Sequence, residues 1–292
     1  MRKLSANSIL IYGSLFLVTV TIIFPFLNLI ATSLSDGKAV NSLSGLAIFP
    51  KGFNLETYKA LLLNEKVQLG LFNSLLITIV GTSINVFFTC MTAYALSNTK
   101  LIGRKIILIF FIVTMVFEPG IIPDYLVMKN IGLLDSYWAL FLYKGINVFY
   151  LLVLMRFFEE IPPSLIEAAQ IDGANFFQVF FRIVLPMSLP AIAMVAMSYA
   201  VFHWNEYFRA MIYIADPDKW PLQVVLRQFV VESDKVAMVG LQNVSSYKDA
   251  ATIDIKSLKA GIIILTTAPI LLVYPLILKY FTKGDMHGGV KE

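Results

Sequence analysis

Residues 4–35 read LSANSILIYGSLFLVTVTIIFPFLNLIATSLS, without one Asp, Glu, Lys or Arg. A helix needs roughly 20 mostly apolar residues to cross the hydrocarbon core of a bilayer, so this run is long enough to span one. Used as a ruler, the same criterion finds three more uncharged runs of sufficient length: Leu69 to Ser97, Ile183 to Asn205 and Ala260 to Leu278. Two weaker runs complete the set. Ile106 to Met128 is interrupted by Glu118, Pro119, Pro123 and Asp124, and Ser136 to Met155 carries Lys144. The reading is an all-α integral membrane protein with six spanning helices over about residues 8–34, 70–97, 105–128, 137–157, 187–213 and 260–281. An even number places both termini on one side.

Composition agrees. The chain of 292 residues is 58% hydrophobic and 14% charged, with mean hydropathy +0.76, outside the range usual for water-soluble domains. Backbone polar groups inside lipid must be satisfied within the segment, and long apolar runs, unlike the alternating strands of a barrel, leave helices as the spanning element. Net charge is +4, but the basic residues do not cluster with aromatics as a nucleic-acid surface requires. The single cysteine, Cys90, sits within an apolar run and excludes a disulfide or cysteine-based metal framework.

Lys and Arg near span ends mark the cytoplasmic side. Arg2, Lys3, Lys100, Arg104, Lys105, Lys279 and Lys283 fall on one side, which is therefore expected to be cytoplasmic, with both termini. Lys38, Lys51, Lys59 and Lys66 lie opposite, in longer segments where the rule weakens. Met1-Arg2-Lys3 resembles the start of a signal peptide, but the apolar run exceeds the usual 7–15 residues, so an uncleaved first helix is expected. Tyr137, Trp138, Tyr143 and Tyr150 suit either an interfacial belt or packing.

On that topology, Arg156 to Pro190 contains a cytoplasmic excursion, its loop covering 158–186, between the fourth and fifth spans. Pro162-Pro163-Ser164 leads into a helix-forming stretch, Leu165 to Asp172, with Glu167 in its early turns; Gly173 stops it. A second apolar helix is predicted over Phe176 to Val184. The pattern Glu167-Ala168-Ala169, three residues, Gly173, nine residues, Ile183, one residue, Leu185-Pro186 resembles the EAA loop of permease subunits in binding-protein-dependent ABC importers. In that family the loop is the coupling helix that docks on the cytoplasmic ATPase. The resemblance implies the same for Glu167, Ala168, Ala169, Gly173, Ile183, Leu185 and Pro186.

The resemblance runs along nearly the whole chain and is to the maltose-type carbohydrate branch. Phe49-Pro50-Lys51-Gly52-Phe53, Asn54-Leu55-Glu56-Thr57-Tyr58, Asn73-Ser74-Leu75, Ala93-Tyr94-Ala95-Leu96 and Gly132 to Ala139 are similar to its landmarks, in order. The tail Lys283 to Lys291 resembles the ending that reaches the ATPase dimer, which would give Gly284, Gly288 and Gly289 that role; a frayed polar end is the plainer reading. The outer loop 214–259 is longer than a minimal one and contains a potential interfacial helix from Trp220 to Gln228. It is similar to a sub-branch handling larger oligosaccharides, although packing for a binding protein or tolerated length explains it equally.

His203-Trp204-Asn205-Glu206-Tyr207 with Arg209 sits towards the outer end of the fifth span. Polar groups inside a span usually face a bundle interior or an aqueous path. Trp204 and Tyr207 can offer flat faces to sugar rings and Asn205, Glu206 and Arg209 can bond hydroxyls; alternatively Glu206 and Arg209, at i and i+3, simply pair. Glu118, beside Pro119-Gly120, reads as a capping or interfacial group. No phosphate-binding G-x-x-x-x-G-K-[S/T] loop is present, and His203 and His287 show no metal-ligand spacing. The chain itself is expected to hold no cofactor.

Taken together, the resemblance implies half of a sugar translocation path in a prokaryotic cytoplasmic membrane, with a second permease, two ATPase subunits that bind ATP and Mg, and an extracellular solute-binding protein. A membrane enzyme would need ionisable groups gathered at one depth, and a secondary transporter paired broken spans and repeats; neither pattern is evident.

Overall fold

The computed structural model describes residues 6–232 and 254–284. In chain order the α-helices of five or more residues are α1 (Ala6–Ser33), α2 (Glu56–Leu63), α3 (Glu65–Ser97), α4 (Arg104–Val116), α5 (Ile121–Asn130), α6 (Trp138–Leu142), α7 (Val148–Glu159), α8 (Pro163–Ile171), α9 (Leu189–Trp204), α10 (Phe208–Tyr213), α11 (Leu222–Arg227) and α12 (Ile255–Gly284). Helical turns at Phe176–Val179, Phe180–Val184 and Leu185–Met187 link α8 to α9. Among the described residues three helices are long and apolar enough to cross a membrane alone, within α1, α3 and α12, and the bent pairs α4/α5 and Phe176–Met187/α9 are apolar enough to make two more.

The chain divides into two compact units. The first comprises Met1–Gln68 and Val225–Pro269. Only 6% of the most apolar stretch of α1 is buried within the chain; its exposed Leu10, Phe16, Leu17 and Ile22 are matched to lipid or other apolar surroundings, not to its own core. Its hydroxyls are compatible with that setting, since Thr19 and Thr21 donate to the carbonyls of Leu15 and Leu17, both at 2.8 Å. Beyond α1 the chain turns back on itself: the Asn28 amide donates to the Ala47 carbonyl at 2.7 Å, and Ser35 forms an antiparallel bridge with Phe53. α12 approaches α2 so closely at Gly261 that a Cβ there would lie 2.9 Å from Leu61 Cδ1 and Thr57 Cγ2.

The second unit comprises Leu69–Val224 and Ile270–Glu292, and here the expected spans need correction. The run over 105–128 is not one rod: α4 and α5 are bent by 118° at Glu118-Pro119-Gly120, where Pro119 cannot continue a hydrogen-bond ladder and Gly120 takes φ +86. The run over 137–157 breaks between α6 and α7. Lys144 adopts φ +49, and the Asn147 side chain caps α7 by accepting from the amides of Phe149 and Tyr150 at 3.0 and 3.3 Å. The run over 187–213 begins earlier, ends its main helix at Trp204 and restarts as α10.

Two hydrophobic clusters hold this unit. One gathers Cys90, Tyr94, Leu151, Leu154, Phe158, Phe180, Val184, Val195 and Tyr199; the other Ile77, Leu140, Phe141, Tyr213 and Val224. A buried polar chain joins α3 to α9. Asn85 of α3 donates to the Lys144 carbonyl at 2.9 Å, so its own carbonyl oxygen faces His203 Nε2 at 3.2 Å as the acceptor, which fixes the ring proton on Nε2. One turn along α3, Thr89 shares a 2.8 Å hydrogen bond with the Tyr199 hydroxyl, which also accepts the Asn147 amide at 2.7 Å.

The contact between α3 and α9 depends on the absence of a side chain. A Cβ on Gly81 would sit 2.7 Å from Cε1 and Nε2 of His203. Gly81→Ala is therefore expected to destabilise the unit by about 1–3 kcal/mol through overpacking, read as a lower melting temperature in detergent, and His203→Ala on top of it to recover part of the loss.

Candidate functional site

The segment leading to and through the predicted loop starts from an ion-paired knot. Arg104, at the start of α4, donates from Nε to the Leu96 carbonyl at 2.6 Å, covering an open carbonyl at the end of α3, and pairs with Glu159. Arg156 reaches the other oxygen of Glu159 at 2.9 Å. Pro163 then opens α8 at a position where the missing N–H is harmless. At the far end, Gly173 takes φ +83; its amide bonds the Gln170 carbonyl at 3.0 Å and that of Ala174 bonds Ala169 at 2.9 Å, the paired bonds of a Schellman stop. Nothing lies within 4 Å of a Cβ built on Gly173, so glycine is needed there for its backbone angle and not for space. Asn175 and Gln178 exchange side-chain and backbone bonds at 2.9 and 2.8 Å in a capping box that starts the next turn.

Between these caps the side chains sort by face. Ile166, Ala169 and Ala174 pack on the hydrophobic cluster, whereas Glu167 and Ala168 point out to the surface. The predicted helix from Phe176 to Val184 is α-helical only to Val179; Phe180–Val184 forms a wider π turn. Phe180 and Val184 are buried, and Ile183 and Leu185 pack inward with them, leaving Pro186 exposed. Tyr94 of α3 stacks on Phe180 at 5.0 Å and lies 4.4 Å from the Phe176 ring. Gly284 closes α12, while Gly288 and Gly289 lie outside the described residues.

Towards the opposite end of α4 and α9 opens a cleft of about 460 Å³, lined by residues including Glu118, Asp124, Tyr143, Lys144, Phe208, Arg209 and Tyr213. Lys144 pairs with Glu118 at 2.8 Å. Arg209 pairs with the buried Glu206 at 2.7 Å, donates to the Tyr143 hydroxyl at 2.9 Å and lies 3.8 Å from that ring's centroid. The Tyr213 hydroxyl is buried and has no hydrogen-bond partner among the described residues. Of the five predicted path residues only Arg209 lines the cleft. Trp204 is buried, Asn205 turns its amide back to the Val201 carbonyl at 2.9 Å, and Tyr207 is exposed elsewhere. Asp124, Tyr143, Lys144 and Tyr213 were not singled out for such a site by sequence; the signal that marks them is the pair of helix breaks beside Pro119-Gly120 and Lys144-Gly145.

A rim of backbone-directed bonds frames this end. Asn73 donates to the carbonyls of Asp218 and Trp220 at 2.7 and 3.1 Å and accepts from the Tyr137 hydroxyl at 2.8 Å, and Ser74 accepts the Leu222 amide at 2.8 Å. The Asp216 amide donating into the Asp135 carboxylate, helped by Lys219, holds that carboxyl below its ordinary range.

No family profile matches the chain. It is 42% identical, over 97% of both chains, to the polygalacturonan/rhamnogalacturonan transport system permease protein YtcP of Bacillus subtilis. The chain belongs to the carbohydrate-type ABC transporter permeases. It is also 27% identical to the maltodextrin transport system permease protein MdxG of Bacillus subtilis, over 98% of this chain and 96% of that one. Among solved structures, a chain of a bacterial ABC transporter involved in the import of the acidic polysaccharide alginate matches with TM-score 0.84 and 28% identity, covering 95% of this chain and 99% of the other. As an ABC permease the chain is a membrane subunit and not the catalytic one.

The Schellman stop yields a test. Gly173→Val forces a branched side chain into the left-handed region and is expected to destabilise the loop by about 1–2 kcal/mol, whereas Gly173→Asn, better suited to that region, should lose less. Faster amide exchange over residues 163–175 in the valine variant is the measurement.

Proposed function

We propose that this permease forms half of the translocation path of an ATP-driven oligosaccharide importer and receives the ATPase stroke through Glu167 and Ala168. The single observation that carries this reading is the sidedness of α8: opened by Pro163, stopped at Gly173 and pinned through Ile166 and Ala169, it leaves Glu167 and Ala168 exposed for a partner. A docking lever needs both properties, since a helix that yields under load transmits nothing. Ala169 and Gly173 then shape the lever, and Ile183, Leu185 and Pro186 join it to the bundle. In this reading the α8 end is cytoplasmic, both termini share that side, and the membrane is the prokaryotic cytoplasmic membrane. A second permease, two ATPase subunits holding ATP and Mg, and an extracellular binding protein complete the assembly. Gly284, Gly288 and Gly289 of the tail are assigned contact with the ATPases.

The cleft around Arg209 is the substrate-facing region of this chain. Its aromatic rings and paired charges can bond hydroxyls in a partly desolvated setting, and Tyr213 supplies a hydroxyl not already engaged among the described residues. Glu206 acts there through Arg209, while Trp204, Asn205 and Tyr207 support the turn that carries it. The outer loop 214–259 fits a bias towards oligosaccharides.

Glu167→Lys and Gly173→Pro are expected to leave membrane insertion intact and to abolish uptake and transport-linked ATP hydrolysis; full uptake by both variants sinks the coupling role. Arg209→Lys removes the forked contact with Glu206 and Tyr143 and is expected to lower uptake about tenfold or more without loss of assembly. Unchanged uptake kinetics in proteoliposomes would remove the cleft from the path.

A further inference from the structure

The π turn has a cause in the sequence. Pro186 has no N–H, and in a regular helix its ring would press on the carbonyl of Arg182, four residues back. Instead the Leu185 amide bonds the Phe180 carbonyl, five residues back, so the helix widens by one residue just before the proline. Ordinary spacing returns at Ser188, whose amide bonds Val184 at 3.1 Å. Ser188 itself leaves helical geometry at φ −99, ψ 13, and Pro190 follows as a second residue without a donor. Across this stretch the segment Phe176–Met187 and α9 are bent by 83°.

Its two sides are held differently. Below the break the Schellman stop and capping box make residues 163–179 a stiff piece that meets α3 where Phe176 packs on the Tyr94 ring, a contact that can slip without breaking a directional bond. Above it α9 is fixed to α3 and to the 143–147 break by hydrogen bonds from Tyr199 and His203. Alongside the joint lies an apolar groove of about 630 Å³, lined by Phe87 and Cys90 of α3 and by Phe181, Leu185, Pro186 and Leu189. A weakened ladder, stiff arms and adjacent room are the ingredients of a hinge.

We propose that residues 180–190 are the pivot between the coupling lever and the bundle, and that Pro186 is a positioning residue that keeps this pivot from closing into a continuous helix. Pro186 then acts on coupling without touching the ATPase. The inference rests on the coupling role assigned above to Glu167.

The test uses the intact transporter in lipid, with Cys90→Ser removing the native thiol. Spin labels at Phe177→Cys and Val201→Cys report across the joint, and labels at Ile171→Cys and Phe177→Cys report within the lever. Between the nucleotide-free and ATP-trapped states the first distance is expected to change and the second to stay fixed. Pro186→Ala, which restores both the donor and a strong helix former, is expected to lower sugar uptake per ATP hydrolysed about tenfold, within the usual range of allosteric coupling. Pro186→Gly, which restores the donor but keeps the helix weak, is expected to retain most of it. Equal loss in both variants would mean that the ring serves only packing, and a fixed distance across the joint would overturn the pivot. If Pro186→Ala does not assemble, the label pair in the Pro186 chain still decides. A Glu167→Lys variant with full uptake would bring down the coupling reading itself, whereas its loss of uptake together with a fixed joint distance would bring down the pivot alone.

Discussion

A peptide group that leaves its helix inside hydrocarbon has no water to turn to, and the energy of leaving it unpaired amounts to several kcal/mol. Much of the second unit is organised around that constraint. The break between α6 and α7 strands the Lys144 carbonyl and the Asn147 amide, and two side chains from two other helices meet them: the Asn85 amide and the Tyr199 hydroxyl. His203 and Thr89 complete the same chain. The bonds that satisfy the break therefore also join α3 and α9, and the fold draws its cross-linking from its own irregularity.

α3 is the common support. Near one end, Asn73 and Ser74 hold the rim; about 18 Å along the axis, at 1.5 Å per residue, Asn85 begins the buried polar chain; at the other end Leu96 takes the Arg104 bond and Tyr94 meets the coupling segment. The rim beside the cleft and the segment that follows α8 thus share one scaffold, with bonds of different character along it. Directional hydrogen bonds predominate in the middle. Ring stacking, which tolerates displacement, is placed next to the lever.

The helical membrane class was readable because uncharged runs and lipid chemistry leave few alternatives, and α8 with its stop because the glycine and proline there have backbone meanings that composition does not blur. Gly173 needs φ above zero, and Pro163 belongs at a helix start. Less legible were the breaks. Lys144 inside a span reads as a charge to be tolerated, while its pairing with Glu118 depends on a partner 26 residues away. The sequence offers its path candidates from one stretch, 204–209, whereas the cleft that holds Arg209 is assembled from α4, α5, the break before α7 and α10. Local sequence could place Arg209 beside Glu206 but could not bring Tyr143 and Tyr213 to it.

At the rim, Asn73 and Ser74 grip main-chain atoms: two carbonyls and one amide of residues 218–222. A clasp of that kind is indifferent to which side chains the clasped strip of chain carries. Leu222 is buried and Trp220 packs inward, so it is at the exposed Asp218 that the strip can vary outwards while its path stays set by α3, without renegotiating the architecture beneath it.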